Sequence, residues 1–493
     1  MRFYIEKLGC PKNDTDAEGI AQLLIEAGYK PAINADKADV IIVNTCGFID
    51  AAREESFQCL QQYARRKRRL RVRKVAHRYQ AKALIGNAMC LEKQPAQPVL
   101  IAAGCLSERY RGELARLMPE LDGIVGTQRW AEIPQVLEDI LRGQRPSCVG
   151  KGPAVTSVSR TASGPTAYVK IADGCSVGCA FCAIPRIKGP HRSKPLPHVV
   201  AEVRQLVDSG AREIILIAQN TAAYGHDWGE QDGLATLLQR IVERVPEIPW
   251  IRIMYAYPEH ITDRLIETIA RNDQVVKYLD VPLQHAHPDV LRRMRRPAED
   301  ARPLIRRLRE AIPEIALRSA FIVGYPGEDE KEFQALLSFL DEVELDRVGV
   351  FKFSAEEGTL AASLPGQLNS RAKLRREDRA MRLLREISAR KTKRLLGSVL
   401  DVLVEGTAEL GGNGYSQARV HPIPRVKQVE SGSESHTEAL KLLSVGRSYR
   451  DAPEVDGLVF LKERVPVGSL VRARVIGASE YDLFAEIDGS DLG

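Results

Sequence analysis

Residues 173–182 read DGCSVGCAFC, and the rest of the chain is read outward from this stretch. Cys175, Cys179 and Cys182 stand in a C-x3-C-x2-C pattern. Thiolates at such spacing hold three irons of a [4Fe–4S] cluster, whereas most electron-transfer clusters take four cysteines. An iron without a protein thiolate is open to a small chelating ligand, which suits a catalytic cluster. A zinc knuckle is the competing reading of the spacing. Residues 167–171 read as a strand, so the cysteine loop follows a strand's C-terminal end. Further strands are predicted at 213–218, 250–255, 278–281, 320–323 and 347–351, with helical stretches such as 196–209 and 329–342 between them. Six βα units predict a (β/α) barrel or a partial one, whose active site lies at the C-terminal ends of its strands.

Upstream, residues 1–145 alternate strand and helix as a parallel-sheet α/β domain does. Strands are expected at 2–8, 39–45 and 99–103, and helices at 14–27 (capped by Asp14 or Thr15), from 48, from 108 and at 130–141. Cys10, Cys46 and Cys105 each stand just past a predicted strand. Ligands of open α/β sheets collect at those ends, so the three thiolates form a candidate second metal site. Three unrelated half-buried cysteines are the alternative. Cys59, Cys90 and Cys148 share no such context and are expected to ligate nothing.

Residues 146–166 are expected as a linker, 167–396 as the barrel with a long charged helix at 370–396, and 397–493 as a small β-barrel. Within the last, 411–444 is expected as a flexible surface loop.

No apolar run approaches the ~20 residues of a membrane span. MRFYIEKLGC lacks the apolar core of a secretory signal, and nine cysteines are too few for a disulfide scaffold, so a reduced, cytoplasmic protein is expected. The net charge of +6 is local: residues 61–97 carry 11 Lys/Arg against one acid. Residues 398–493 carry 10 basic against 15 acidic side chains. The basic segment reads as a ribosome or RNA tether, or as a solvated helical insertion.

The C-x3-C-x2-C loop, with Phe181 before its last cysteine, resembles the radical S-adenosylmethionine (SAM) superfamily. In that superfamily the open iron binds SAM, which is reductively cleaved to a 5′-deoxyadenosyl radical. LGCPKN (8–13), VNTCGFI (43–49) and AAGCLSERY (102–110) resemble the N-terminal domain of methylthiotransferases, and the C-terminal domain resembles the TRAM module that ends them. This resemblance implies a second [4Fe–4S] cluster on Cys10, Cys46 and Cys105, implicated in sulfur delivery. It also implies SAM contacts from Gln219 and Asn220 and from Gly324 and Gly327 of FIVGYPGE (321–328). Turn chemistry accounts for the same residues equally well. Gln284 and His285 lie at another strand end and face either the pocket or the core.

LGCPKN, NTCGFI, GRSYRDAPEVDG (446–457) and EYDL (480–483) resemble the RimO-type branch, which methylthiolates the β-carbon of an aspartate in a small-subunit ribosomal protein. The acidic tail domain argues the same way, because RNA binding calls for a basic surface. Asp451, Glu454 and Asp456 are expected to steer a basic ribosomal protein or ribosome. An electron donor and a sulfur donor are the other implied partners. The alternatives are methylthiolation of a transfer RNA adenosine and a non-catalytic iron–sulfur protein.

Overall fold

The computed structural model describes residues 1–84, 97–152, 158–409, 419–420 and 442–489. The first sheet contains β1 (Arg2–Lys7), β2 (Lys30–Pro31), β3 (Val40–Thr45), β4 (Val99–Gly104), β5 (Gly123–Gly126) and β6 (Ser147–Cys148). All pair in parallel in the order β2-β1-β3-β4-β5-β6. Helices cover both faces, so β3 reads as a continuous apolar run rather than an alternating one. Ile42, Ile101 and Val125 pack on one face with Ile20 and Val136, while Ile41, Val43 and Leu100 pack on the other with Leu60 and Ala64.

Two helices start earlier than expected. The first runs Pro11–Glu26, not 14–27, and its N-cap is Cys10 rather than Asp14 or Thr15. Pro11 has φ preset for the helix and lacks only an N–H that the first turn leaves unbonded, so it starts the helix. The helix after β4 begins at Cys105 itself. β6 lies inside the stretch expected as a linker. The helix Asp50–Leu84 carries much of the basic segment, and Arg66, Lys67 and Arg68 are spent on Asp36, Asp122 and Glu120 of their own domain. Residues 85–96, with Cys90, lie outside the described residues.

The second unit holds β7 (Thr166–Lys170), a short ribbon of β8 (Ala172–Asp173) and β9 (Arg192–Ser193), then β10 (Glu213–Ile217), β11 (Trp250–Ile253), β12 (Val275–Asp280), β13 (Ala316–Val323) and β14 (Arg347–Lys352). Six parallel strands in the order β14-β13-β12-β11-β10-β7 make a partial barrel, open between its edge strands β7 and β14. Side chains alternate: Ile214 and Leu216 face the helices, Ile215 and Ile217 the concave side.

The third unit holds β15 (Val399–Glu409), β16 (Arg419–Val420), β17 (Leu442–Ser448), β18 (Val459–Leu461), β19 (Leu470–Ala478) and β20 (Leu483–Ile487). Pairing of β15 with both β17 and β19 closes five strands into a barrel. β17 begins inside the stretch expected as a loop, most of which lies outside the described residues.

This small barrel closes the concave side of the large one. Leu403 and Ala452 pack on Ile215, Trp250, Val276 and Tyr278. Here the expected acidic docking surface is overturned. Asp451 is 1% exposed and pairs with Arg347, and Asp456 pairs with Arg318 and accepts from the Tyr278 hydroxyl at 2.7 Å. Only Glu454 of the three is exposed. The acids hold the two barrels together, because arginines of β13 and β14 lie opposite them.

Arg447, 1% exposed, belongs to the same contact, with Glu213 at 2.5 Å and Glu405 at 2.6 Å. Burial opposes ionisation of Glu213, yet Arg447 and Arg252 hold its carboxyl down to about 2, against an ordinary 4.5. Removing one partner of a buried ion pair strands the other charge, so Arg447→Ala is expected to destabilise this contact by about 3 kcal/mol. A drop in the denaturation midpoint measures it. Because the folded pKa is depressed, the stabilisation from Glu213 is full above its ordinary pKa and is lost as pH falls toward 2.

Candidate active site

The cysteine loops of the first sheet converge because the strands end level. Lys7 pairs with Asn44, Thr45 with Gly104 and Gly104 with Gly126. The chain then needs glycine beside the cysteines. Gly9 has φ +99°, and a Cβ there would lie 2.8 Å from the Cβ of Cys46. Gly104 has φ +94°, and a Cβ would lie 2.6 Å from the Thr45 carbonyl oxygen. Asn13 ties the loops: its Nδ2 donates to the Leu8 and Thr45 carbonyls at 2.8 and 3.1 Å, and its Oδ1 lies 3.9 Å from Cys105 Sγ. Asn44 Nδ2 donates to the Asn13 carbonyl at 2.7 Å. Ser56, fully buried, brackets Cys46 by accepting from its N–H and donating to its carbonyl, each at 3.0 Å. The motif residues around the cysteines are thus the fasteners that gather them.

In the barrel, the loop after β8 carries Cys175, Cys179 and Cys182. Cys175 N–H donates to the Gly189 carbonyl at 3.0 Å, and Ala180 N–H to the Met294 carbonyl at 2.9 Å. Phe181 packs with Met294, Tyr325 and Phe353, which fixes the loop to the segment after β13. Arg296 lies beside this loop, 3.9 Å from Cys179 Sγ and stacked over the Tyr257 ring at 4.2 Å. Sequence reading missed Arg296, since one arginine in RRMRRP gives no signal of its own.

The two sets meet across one short helix. Cys105 packs directly against Ala183 and Ile187, which follow Cys182. Buried charges lock the interface: Lys170 meets Asp16 and Asp173, Lys188 meets Asp173 and Thr127, and Arg160 meets Glu18 at 2.6 Å. Glu356 accepts from the Asp50 N–H at 3.0 Å and from Arg109 at 3.1 Å on the other side of the cleft.

Burial pushes the thiols of Cys46, Cys175 and Cys179 upward, and those of Cys105 and Cys182 to about 12. Such thiols stay protonated until a metal displaces the proton. In neither set do the three sulfurs all lie within 4.8 Å of one another. Tetrahedral zinc, with Zn–S near ~2.3 Å, needs sulfurs about 3.8 Å apart. Three thiolates suit a four-iron cluster with one iron left open. Among the described residues no fourth cysteine joins either set. Cys59 packs under the first sheet and Cys148 lies at its edge.

Of the expected cofactor contacts, Asn220 is 3% exposed, with its amide 2.8 Å from His260 Nδ1 and accepting from Tyr257 N–H at 3.4 Å. Gln219 is half-buried beside it. A Cβ on Gly324 would meet Lys373 Cγ at 2.5 Å, so packing against helix Ser370–Lys393 accounts for that glycine. Gly327, at φ +73°, has only Arg293 near its empty Cβ position, at 3.8 Å. His285 Nε2 is buried and unbonded, 3.8 Å from Glu328. Tyr255 (φ +65°) and Gln284 (φ +72°) hold left-handed backbone at two barrel strand ends. For residues other than glycine this is strained, and such strain concentrates at functional sites.

Family comparison follows this geometry closely. The Radical SAM superfamily matches residues 169–340, the Uncharacterized protein family UPF0004 residues 2–126, and the TRAM domain residues 434–487. The ribosomal protein uS12 methylthiotransferase RimO of Chloroflexus aurantiacus is 42% identical over 507 residues, covering 99% of both chains. The chain belongs to the RimO methylthiotransferase family. A second RimO, from Roseiflexus sp. (strain RS-1), is 40% identical over 99% of this chain and 97% of its own. Among solved structures, the radical SAM methyltransferase TsrM of Kitasatospora setae aligns with a TM-score of 0.51 at 13% identity, covering 71% of this chain and 72% of that one. At that identity the likeness to this RimO-family chain is one of fold.

Proposed function

We propose that this protein adds a methylthio group to the β-carbon of an aspartate in the small-subunit ribosomal protein uS12, using SAM and two [4Fe–4S] clusters. The observation that carries the reading is the packing of Cys105 against Ala183 and Ile187, which brings a loop of each three-cysteine set together across the domain boundary. Cys175, Cys179 and Cys182 would hold one cluster, and Cys10, Cys46 and Cys105 the other. When bound, these groups supply one-electron cleavage of SAM and a seat for sulfur.

The chain's own residues do the holding. Arg296 places positive charge at the Cys179 sulfur. Phe181, Gln219, Asn220 and Gly327 would border the space for SAM, whereas Gly324 is taken up by packing against Lys373. The interface ion pairs fix the two cysteine sets at one separation. An unactivated carbon–hydrogen bond offers no acidic proton to a base, so the task left to the protein is positioning and exclusion of water. An electron donor and a sulfur donor complete the reaction in the ribosome's own compartment, the cytoplasm. No described helix is long and apolar enough to cross a membrane.

Mass spectrometry of ribosomal proteins and transfer RNA from a deletion strain tests the assignment. The expected result is uS12 without methylthiolation of its aspartate and transfer RNA unchanged. Loss of methylthioadenosine from transfer RNA, with uS12 unaltered, would transfer the assignment to the other branch.

A further inference from the structure

Four lysines are buried among the described residues, and three of them have carboxylate partners. Lys170 meets Asp16 and Asp173, Lys188 meets Asp173, and Lys194 meets Glu202. The fourth, Lys12, is 6% exposed. Among the described residues its Nζ makes no hydrogen bond or ion pair, and it lies 3.1 Å over the centre of the Tyr255 ring. An ammonium at a largely buried residue, bonded to no carboxylate, keeps all three of its donors available to a ligand.

Beside Cys10, the carboxylate that faces Lys12 is already engaged. Asp280 faces Lys12, but its Oδ1 accepts from Arg318 at 3.0 Å and its Oδ2 from the Tyr255 N–H at 3.2 Å. Lys12 itself is held in place from below, where Thr15 Oγ1 donates to its carbonyl at 2.8 Å. It stands two residues after Cys10, on the N-terminal domain, and its side chain reaches the end of β11 in the barrel. Tyr255, the ring beneath it, is one of the residues with strained backbone. The ammonium therefore stands beside the N-terminal cysteine set, over a residue at a barrel strand end, with no carboxylate bonded to it among the described residues.

We propose that Lys12 is the receptor for the side-chain carboxylate of the aspartate to be modified. The inference rests on the function proposed above. An aspartate β-carbon is bonded directly to its carboxylate carbon, so a salt bridge to Lys12 places the reacting carbon two bonds from the clamped oxygen. Asparagine has the same shape but no charge, and offers Lys12 only a neutral acceptor. Charge-assisted hydrogen bonds are roughly twice as strong as neutral ones, and the difference is larger where water is excluded. Lys12 would thus select aspartate over asparagine as well as orient it.

The test is anaerobic calorimetric titration of the reconstituted holoenzyme with uS12 carrying either its native target aspartate or asparagine in that place. The wild type is expected to bind the aspartate form at least about tenfold more tightly. Lys12→Met, with its iron retained, is expected to bring the ratio to about one, and Lys12→Arg to keep most of the preference. A wild-type ratio of one overturns the inference without any variant. So does a full ratio in Lys12→Met or, should that variant lose iron, in Lys12→Gln. Absence of binding to either form of uS12 would instead sink the function reading, and the inference with it.

Discussion

Replacing Cys175, Cys179 and Cys182 together by alanine is expected to lower the iron of the reconstituted protein from about eight to about four per chain. It is expected to abolish both 5′-deoxyadenosine formation and methylthiolation. Among the described residues no uncommitted thiol adjoins the loop, since Cys59 and Cys148 lie in the first domain and Cys105 belongs to the other set. The loop itself should survive. Its anchors are the backbone bonds of Cys175 to Gly189 and of Ala180 to Met294, and the packing of Phe181, none of which uses sulfur. Iron analysis and chromatography of SAM products read the outcome. Continued SAM cleavage by the triple variant would remove this loop from the reaction.

The companion variant, Cys10, Cys46 and Cys105 to alanine, separates the two sites. Iron should again fall from about eight to about four, but 5′-deoxyadenosine should still form while methylthiolation stops. The barrel set needs no residue of the first domain to complete its three sulfurs. The fasteners Asn13, Asn44 and Ser56 bond mainly to backbone, so the gathered loops remain when the sulfurs are gone. Cys105 is 5% exposed and packs on Ala183 and Ile187, so its truncation leaves a small void and a modest loss of stability. Undiminished iron in this variant would mean that the N-terminal thiols hold no cluster.

Both cysteine sets were legible because each lies in a local pattern. Three cysteines in eight residues mark one, and a cysteine after each of three apolar strands marks the other. Strand existence was legible for the same reason, since a run such as VIIVNT can be buried on both faces only in a covered parallel sheet. What the sequence hid was pairing between distant segments. Asp451 and Asp456 read as solvated acids until Arg347 and Arg318, more than a hundred positions away, are placed against them. Lys12 carries no signal of its own in the sequence, and only the fold brings Tyr255 beneath it. Net charge by segment is blind to such neutralisation, so the tail domain's excess of acids is not a surface property. Helix starts were misplaced for a smaller reason: Pro11 and Gly104 act through backbone geometry, which outweighs the capping preference of Asp14 and Thr15.

The closure of the large barrel by the small one bears on the order in which the chain is made. Ile215, Ile217, Trp250, Val276 and Tyr278 form the wall of the large barrel, but the residues that cover them, Leu403, Ala452 and Leu470, are synthesised well after them. Until they emerge, the nascent chain carries an uncovered apolar trough, with Glu213 and Arg252 at its floor and Arg447 still to come. Completion of the enzyme therefore waits on its final segment. A chain stopped short of β15 would carry every cysteine yet remain, in the cell's terms, an unfinished folding intermediate and a substrate for chaperones and proteases.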